Sequence, residues 1–113
     1  MIAAIERIAA LGDPTRRAIF EILTEEPASV AAIAQRLPVT RPAVSQHLRV
    51  LKDAGLVSHR IEGTRHVYKL DPAGLASMRD YFDSFWHKAL KSFKAMAEEP
   101  PTEKGKVKRR RKR

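Results

Sequence analysis

The sequence predicts a mainly α-helical fold with one small β-hairpin, and three observations carry that expectation. Apolar residues recur at helical spacing in five separate stretches. Two of those stretches, between Ser29 and Ala54, are parted by a gap of only three residues. Directly after them the pattern switches to a two-residue alternation with a glycine in its middle, the mark of a strand, a turn and a second strand.

The first stripe, Ile2, Ile5, Ile8 and Ala9, should end near Gly12. Asp13 followed by Pro14 is a good cap and first position for a second helix, which runs to about Thr24 with Ile19, Ile22 and Leu23 inward. Pro27 breaks that pattern. Ser29 can then cap a third helix, along which Val30, Ile33, Ala34 and Leu37 recur at i, i+3, i+4 and i+7 until Pro38 stops it. Thr40 is placed to cap a fourth, and Pro42 is tolerated because the first-turn N–H groups of a helix have no intrahelical partner. On this fourth helix Val44, Leu48 and Leu51 make one apolar stripe, and Arg41, Ser45, Gln46, Arg49 and Lys52 occupy the opposite face.

Gly55 sits where a helix end favours a left-handed residue, and apolar character restarts at Leu56 and Val57. Val57, His59 and Ile61 alternate with Ser58, Arg60 and Glu62; residues 62–64 form the turn, and Val67, Tyr68 and Leu70 return. Pro72 opens a last helix that reaches about Ala97 before Pro100 and Pro101. The whole order is a winged helix-turn-helix: five helices plus a wing.

The fourth helix carries the chemistry of a major-groove reader. Arg can bond two acceptors of guanine and Gln can pair with adenine, while Ser and Lys suit phosphate or mixed contacts. The hairpin tip offers Arg60, Thr64, Arg65 and His66, short side chains and cations that suit a phosphate backbone or an adjacent minor groove. The candidate DNA-binding set is therefore Thr40, Arg41, Ser45, Gln46, Arg49, Lys52, Arg60, Thr64, Arg65 and His66, with double-stranded DNA as the partner.

The last helix is apolar around most of its circumference. Leu75, Met78, Phe82, Phe85 and Ala89 give one stripe, and Trp86, Leu90, Phe93 and Ala97 give a second beside it. One stripe suffices to pack on its own domain. The surplus, together with Ile2, Ile5 and Ile8, predicts a dimer seam containing Phe82, Phe85, Trp86, Ala89, Leu90 and Phe93.

At 113 residues the chain has room for one domain, placed at 1–99, and a tail at 100–113. Lys and Arg number 22 against 13 Asp and Glu, a net charge of +9. Residues 104–113 hold eight of those cations and no acid, and setting them aside leaves +1. The folded part must therefore draw DNA affinity from local patterning, while a like-charge block of this density is expected to be a disordered arm that gains ion pairs with phosphates. The absence of cysteine excludes disulfides, thiolate metal sites and thiol redox switches. No apolar run approaches a membrane span, and a cytoplasmic, nucleoid-associated protein is expected. Without a cysteine nucleophile, a Gly-rich phosphate loop or a serine with a local base, neither catalysis nor a cofactor is expected. Asp80, Asp83 and His87 fall near one face of the last helix, a set more typical of an ion pair than of a metal site, and no metal is assigned.

The segments Leu11-Gly-Asp-Pro-Thr-Arg-Arg-Ala-Ile, Ala34-Gln-Arg-Leu, Val44-Ser-Gln-His-Leu-Arg-Val-Leu-Lys-Asp-Ala-Gly-Leu-Val and Arg60-Ile-Glu-Gly-Thr-Arg-His-Val-Tyr resemble the ArsR/SmtB family of bacterial winged-helix repressors over about residues 5–98. The resemblance implies a homodimer built from the first and last helices. It also implies binding to a palindromic operator near a promoter, with the two 41–54 helices in successive major grooves roughly 34 Å apart. Family members that sense metals hold paired cysteines before the recognition helix or Asp and His sets on the last helix; here Val30-Ala-Ala-Ile-Ala offers no ligand atom. The inducer is left unassigned. Two other readings remain open on the sequence: a winged-helix module that docks another protein through its aromatic helix, and a nonspecific architectural nucleic-acid binder driven by the basic tail.

Overall fold

A computed structural model describes residues 4–98. In chain order the elements are α1 (Ala4–Ala10), α2 (Pro14–Glu25), β1 (Ala28–Ser29), α3 (Val30–Arg36), α4 (Arg41–Asp53), β2 (Val57–Glu62), β3 (Arg65–Leu70) and α5 (Pro72–Glu98). The architecture is a winged helix-turn-helix. Ile2 and the 100–113 tail, on which the sequence placed part of the dimer seam and the basic arm, lie outside the described residues.

Three side chains start helices as their positions predict. The Asp13 carboxylate accepts from the Arg16 N–H at 2.9 Å, the Ser29 hydroxyl from Ala32 at 3.2 Å, and the Thr40 hydroxyl from Ala43 at 3.2 Å. α4 closes through a paired turn in which the Gly55 N–H reaches the Lys52 carbonyl and the Leu56 N–H reaches the Leu51 carbonyl, each at 2.9 Å. That turn requires a positive φ, and Gly55 supplies it at +79°.

The structure departs from the sequence pattern in three places. The hairpin is the larger part of a three-stranded antiparallel sheet in the order β1-β3-β2, with Ala28 opposite Tyr68 and Ser29 opposite Val67. A two-residue strand has no periodicity to read, and its second residue is also the cap of α3. β3 starts at Arg65, two residues before the expected Val67, because the two-residue loop Gly63-Thr64 sets Arg65 directly opposite Glu62. α3 stops at Arg36, since Pro38 forces Leu37 into an extended conformation with φ −132°.

The chain divides into two compact units, one ending at Tyr81 and one beginning at Phe82 within α5. In the first, Ile19, Ile33, Val44, Leu48, Leu51 and Leu56 are sealed from solvent and bind α2, α3, α4 and the base of β2 into one core. In the second, the helix runs as a single rod with large apolar side chains in solvent: Trp86 is 61% exposed, Leu90 46%, Phe93 63% and Met96 69%.

Candidate nucleic-acid interface

The core fixes which side of α4 faces water. Val44, Leu48 and Leu51 are wholly buried, so Arg41, Ser45, Arg49 and Lys52, at i, i+4, i+8 and i+11, run along the exposed side with Gln46 beside them. All five are exposed. Thr40 is exposed too, with its hydroxyl oxygen already accepting the Ala43 N–H, which leaves the O–H proton as a donor.

The wing's pleat separates the residues that the sequence grouped at its tip. Pairing of His59 with Tyr68 and of Ile61 with His66 puts these four on one face, and pairing of Arg60 with Val67 and of Glu62 with Arg65 puts those on the other. On the second face Glu62 holds both cations, the Arg60 Nε at 2.5 Å and the Arg65 guanidinium at 3.7 Å. These are exposed pairs, worth little in water, and a phosphate can replace Glu62 as the partner of either arginine at small cost.

On the first face the His59 ring lies 5.1 Å from the His66 ring and 5.1 Å from the Tyr68 ring, the latter pair stacked at 26°. The His59 Nδ1 is shut off from solvent with no hydrogen-bond partner. Desolvation lowers the His59 pKa below the ordinary 6.5, and the charges of Lys52 on α4 and of His66 act in the same direction. Between α4 and the wing runs a groove of about 360 Å³ whose lining includes Ser45, Thr64, Arg65, His66 and Tyr68, with Val30 and Ala31 on the α3 side. Through Ser45 the groove borders the polar face of α4 on one side and the hairpin on the other.

A further cluster joins α4 to the residues before the helix-turn-helix. Arg16 donates from Nε to the Ala10 carbonyl at 2.7 Å, and its Nη1 lies 3.5 Å from His47 Nδ1. The Asp13 carboxylate stands 4.0 Å from the same imidazole nitrogen. Asp13 has a lowered pKa, chiefly because it accepts the Arg16 backbone N–H, with the nearby His47 and Arg16 charges adding to that and desolvation opposing it. The sequence puts His47 at the edge of the fourth helix and does not mark Arg16 as its neighbour. The Asp13-Pro-Thr-Arg16 run was the available signal, visible only as a helix start.

Among the described residues no three His, Cys, Asp or Glu side chains form a group able to hold a metal ion. Asp80, Asp83 and His87 are all exposed along α5. No helix is long and apolar enough to cross a membrane among the same residues.

A buried-stripe helix with a polar outer face, preceded by a four-residue turn and followed by a cationic hairpin, defines a DNA-binding helix-turn-helix protein. A family model described as a helix-turn-helix domain matches residues 11–60. The chain is 57% identical over 84 residues to the HTH-type transcriptional regulator Rv2034 of Mycobacterium tuberculosis, covering 74% of this chain and 78% of that one. The solved structure of an ArsR-like transcriptional regulator from Rhodococcus sp. RHA1 superposes with a TM-score of 0.68 at 31% identity, over 86% of this chain and 94% of the other. A homodimeric winged helix-turn-helix DNA-binding domain from Mycobacterium bovis, a possible ArsR-family regulator, gives 0.59 at 26% identity over 86% of each chain. The chain belongs to the ArsR/SmtB family of winged helix-turn-helix transcriptional regulators.

Proposed function

We propose that the protein is a homodimeric repressor that reads a two-fold symmetric operator with α4 of each copy and lays its wing on the flanking backbone. The observation that carries this reading is the division of α4, where wholly buried Val44, Leu48 and Leu51 oppose exposed Arg41, Ser45, Gln46, Arg49 and Lys52. Gln46 and Arg49 supply base contacts; Thr40, Arg41, Ser45 and Lys52 contact phosphate or mixed sites. Arg60, Thr64, Arg65 and His66 hold the wing to the backbone. Bound across a promoter, such a dimer excludes polymerase.

Dimerisation uses α1, through Ile2, Ile5 and Ile8, and the second half of α5, through Phe82, Phe85, Trp86, Ala89, Leu90 and Phe93. Ile5 is 56% exposed and Trp86 61% exposed in the single chain, and the Mycobacterium bovis relative is homodimeric. Residues 1–99 form the binding and dimerisation domain, and residues 100–113 add phosphate ion pairs without reading sequence. The reading places the protein in the cytoplasm on the nucleoid and assigns it no catalytic step, metal or cofactor.

The test is a titration of the full chain, and of one lacking residues 104–113, against the DNA upstream of its own gene and a shuffled duplex. It runs across a salt series with chelator present. The truncated form should keep its preference for the upstream duplex with a shallower salt dependence. Equal, steeply salt-dependent binding to both duplexes, lost on truncation, would overturn the reading in favour of a nonspecific binder driven by the tail.

A further inference from the structure

The outer face of α4 is useful only if the helix is held at one rotation about its own axis. Hydrogen bonds to base edges tolerate a few tenths of an ångström. At a side-chain radius of about 5–6 Å, a rotation of about 20° displaces the outer tips by about 2 Å. The buried stripe of Val44, Leu48 and Leu51 holds the helix to the core and opposes such a rotation through close packing, which lacks the directionality of a hydrogen bond. A directional contact at the boundary between the two faces would oppose it.

His47 stands at that boundary. It lies between exposed Gln46 and buried Leu48, is itself partly buried, and is met from outside the helix-turn-helix by Arg16. The 3.5 Å approach of Arg16 Nη1 is a hydrogen bond when Nδ1 carries the lone pair and Nε2 the proton. Arg16 is fixed on its other side by the 2.7 Å bond from Nε to the carbonyl of Ala10, the last residue of α1. Its backbone is fixed by the 2.9 Å bond to Asp13. One planar guanidinium thus spans the end of α1, the start of α2 and the middle of α4. A lysine ammonium at this position has one nitrogen and cannot serve the Ala10 carbonyl and His47 in the same geometry.

We propose that Arg16 and His47 are a positioning pair that sets the rotation of α4, and so determine how well the protein discriminates between DNA sequences without either residue touching DNA. This rests on α4 being the recognition helix. The pair acts on base contacts and leaves phosphate contacts, which tolerate small displacements, nearly unchanged.

The experiment compares affinities for two duplexes: one selected by the wild-type protein from a random-sequence library, and a scrambled duplex of the same composition. The full chain is used as wild type, Arg16→Lys, His47→Phe, the double variant and His47→Asn. In Arg16→Lys and in His47→Phe the affinity ratio should fall about tenfold, with the double variant no worse than either. Affinity for the scrambled duplex should stay within about twofold and its salt slope should not change. His47→Asn, whose amide oxygen can stand where Nδ1 stands, should recover most of the ratio. Unchanged ratios in Arg16→Lys and His47→Phe would overturn the proposal, as would a loss shared equally by both duplexes. Should those two variants fail to fold, His47→Asn and His47→Gln decide it: Asn should discriminate like wild type and Gln, which mimics Nε2 instead, should not, and equal behaviour would overturn the pair. A wild-type ratio near one would sink the recognition-helix reading itself, and the positioning pair with it.

Discussion

Gly74 is seated against the carbonyl of Gly55: a Cβ on Gly74 would lie 1.9 Å from the Gly55 oxygen and 2.9 Å from its carbonyl carbon. The first turn of α5 therefore rests directly on the turn that ends α4, and the Asp71 N–H closes the junction by bonding the Leu56 carbonyl at 2.9 Å. The obstacle is backbone, which cannot swing aside as a side-chain tip can. Gly74→Ala should destabilise the protein by about 3 kcal/mol or more, the upper end of ordinary overpacking. At about 4–8 °C per kcal/mol for a domain of this size, the thermal midpoint should fall by about 12–24 °C or more. A midpoint within about 2 °C of wild type would show that the two turns do not meet as described.

The wing's aromatic ladder gives a pH dependence with a definite sign. The folded state lowers the His59 pKa below 6.5, first by desolvation and then by the charges of Lys52 and His66, so the fold favours the neutral ring. The stability gained from that preference is complete above 6.5 and is lost as pH falls from there through the folded value, where the unfolded chain takes up a proton that the folded chain resists. His59→Phe keeps a ring between His66 and Tyr68 and removes the titration. Its thermal midpoint should change less than that of wild type between about pH 7 and pH 5. Parallel curves for the two proteins would remove His59 as the source.

Local chemistry was legible in the sequence and long-range contact was not. Asp13, Ser29 and Thr40 announce helix starts because each cap acts on an N–H three residues away, and Gly55 announces a helix end because only its own φ is at issue. The buried stripe of α4 follows from periodicity, and with it the exposed candidates. By contrast, β1 exists only because β3 lies beside it. The Arg16–His47 contact spans 31 positions and the Gly74–Gly55 contact depends on where α5 arrives. Arg60 and His66 were grouped by nearness in sequence, and the register that sends them to opposite faces of the wing is set by the two-residue loop.

The two faces assigned to DNA should fail in different ways. Gln46→Ala and Arg49→Ala should each reduce discrimination between operator and shuffled DNA by roughly 1–3 kcal/mol per lost base contact. Arg65→Ala, on a wing whose arginines exchange Glu62 for phosphate, should weaken binding to all duplexes alike and reduce the salt slope by about one. Competition titrations at several salt concentrations separate these outcomes. Intact discrimination in both α4 variants would mean that another face of the helix meets the bases. Leu48→Asp is a poor probe for this purpose, because it buries a charge in the core and unfolds the motif.

The second half of α5 supplies the last prediction. Trp86 and Phe93 are seven residues apart, two turns along one side of the helix, and are 61% and 63% exposed in the single chain. Aromatic rings are characteristic anchors of a protein interface, and truncating a central one costs about 2 kcal/mol or more. Trp86→Glu should therefore raise the dimer dissociation constant by about thirtyfold or more while leaving the far-ultraviolet circular dichroism unchanged, since the first unit's core lies entirely outside α5's second half. Ile5→Glu, on α1, should act in the same direction if both helices share the seam. Sedimentation at several concentrations reads the first effect directly. DNA binding then gives a second readout: a monomer holds one half-site, loses the gain from linking two, and should bind a two-fold site no better than a single half-site. A wild-type chain that sediments as a monomer, or a Trp86→Glu variant that remains as tightly dimeric as wild type, would reassign this face to a different partner.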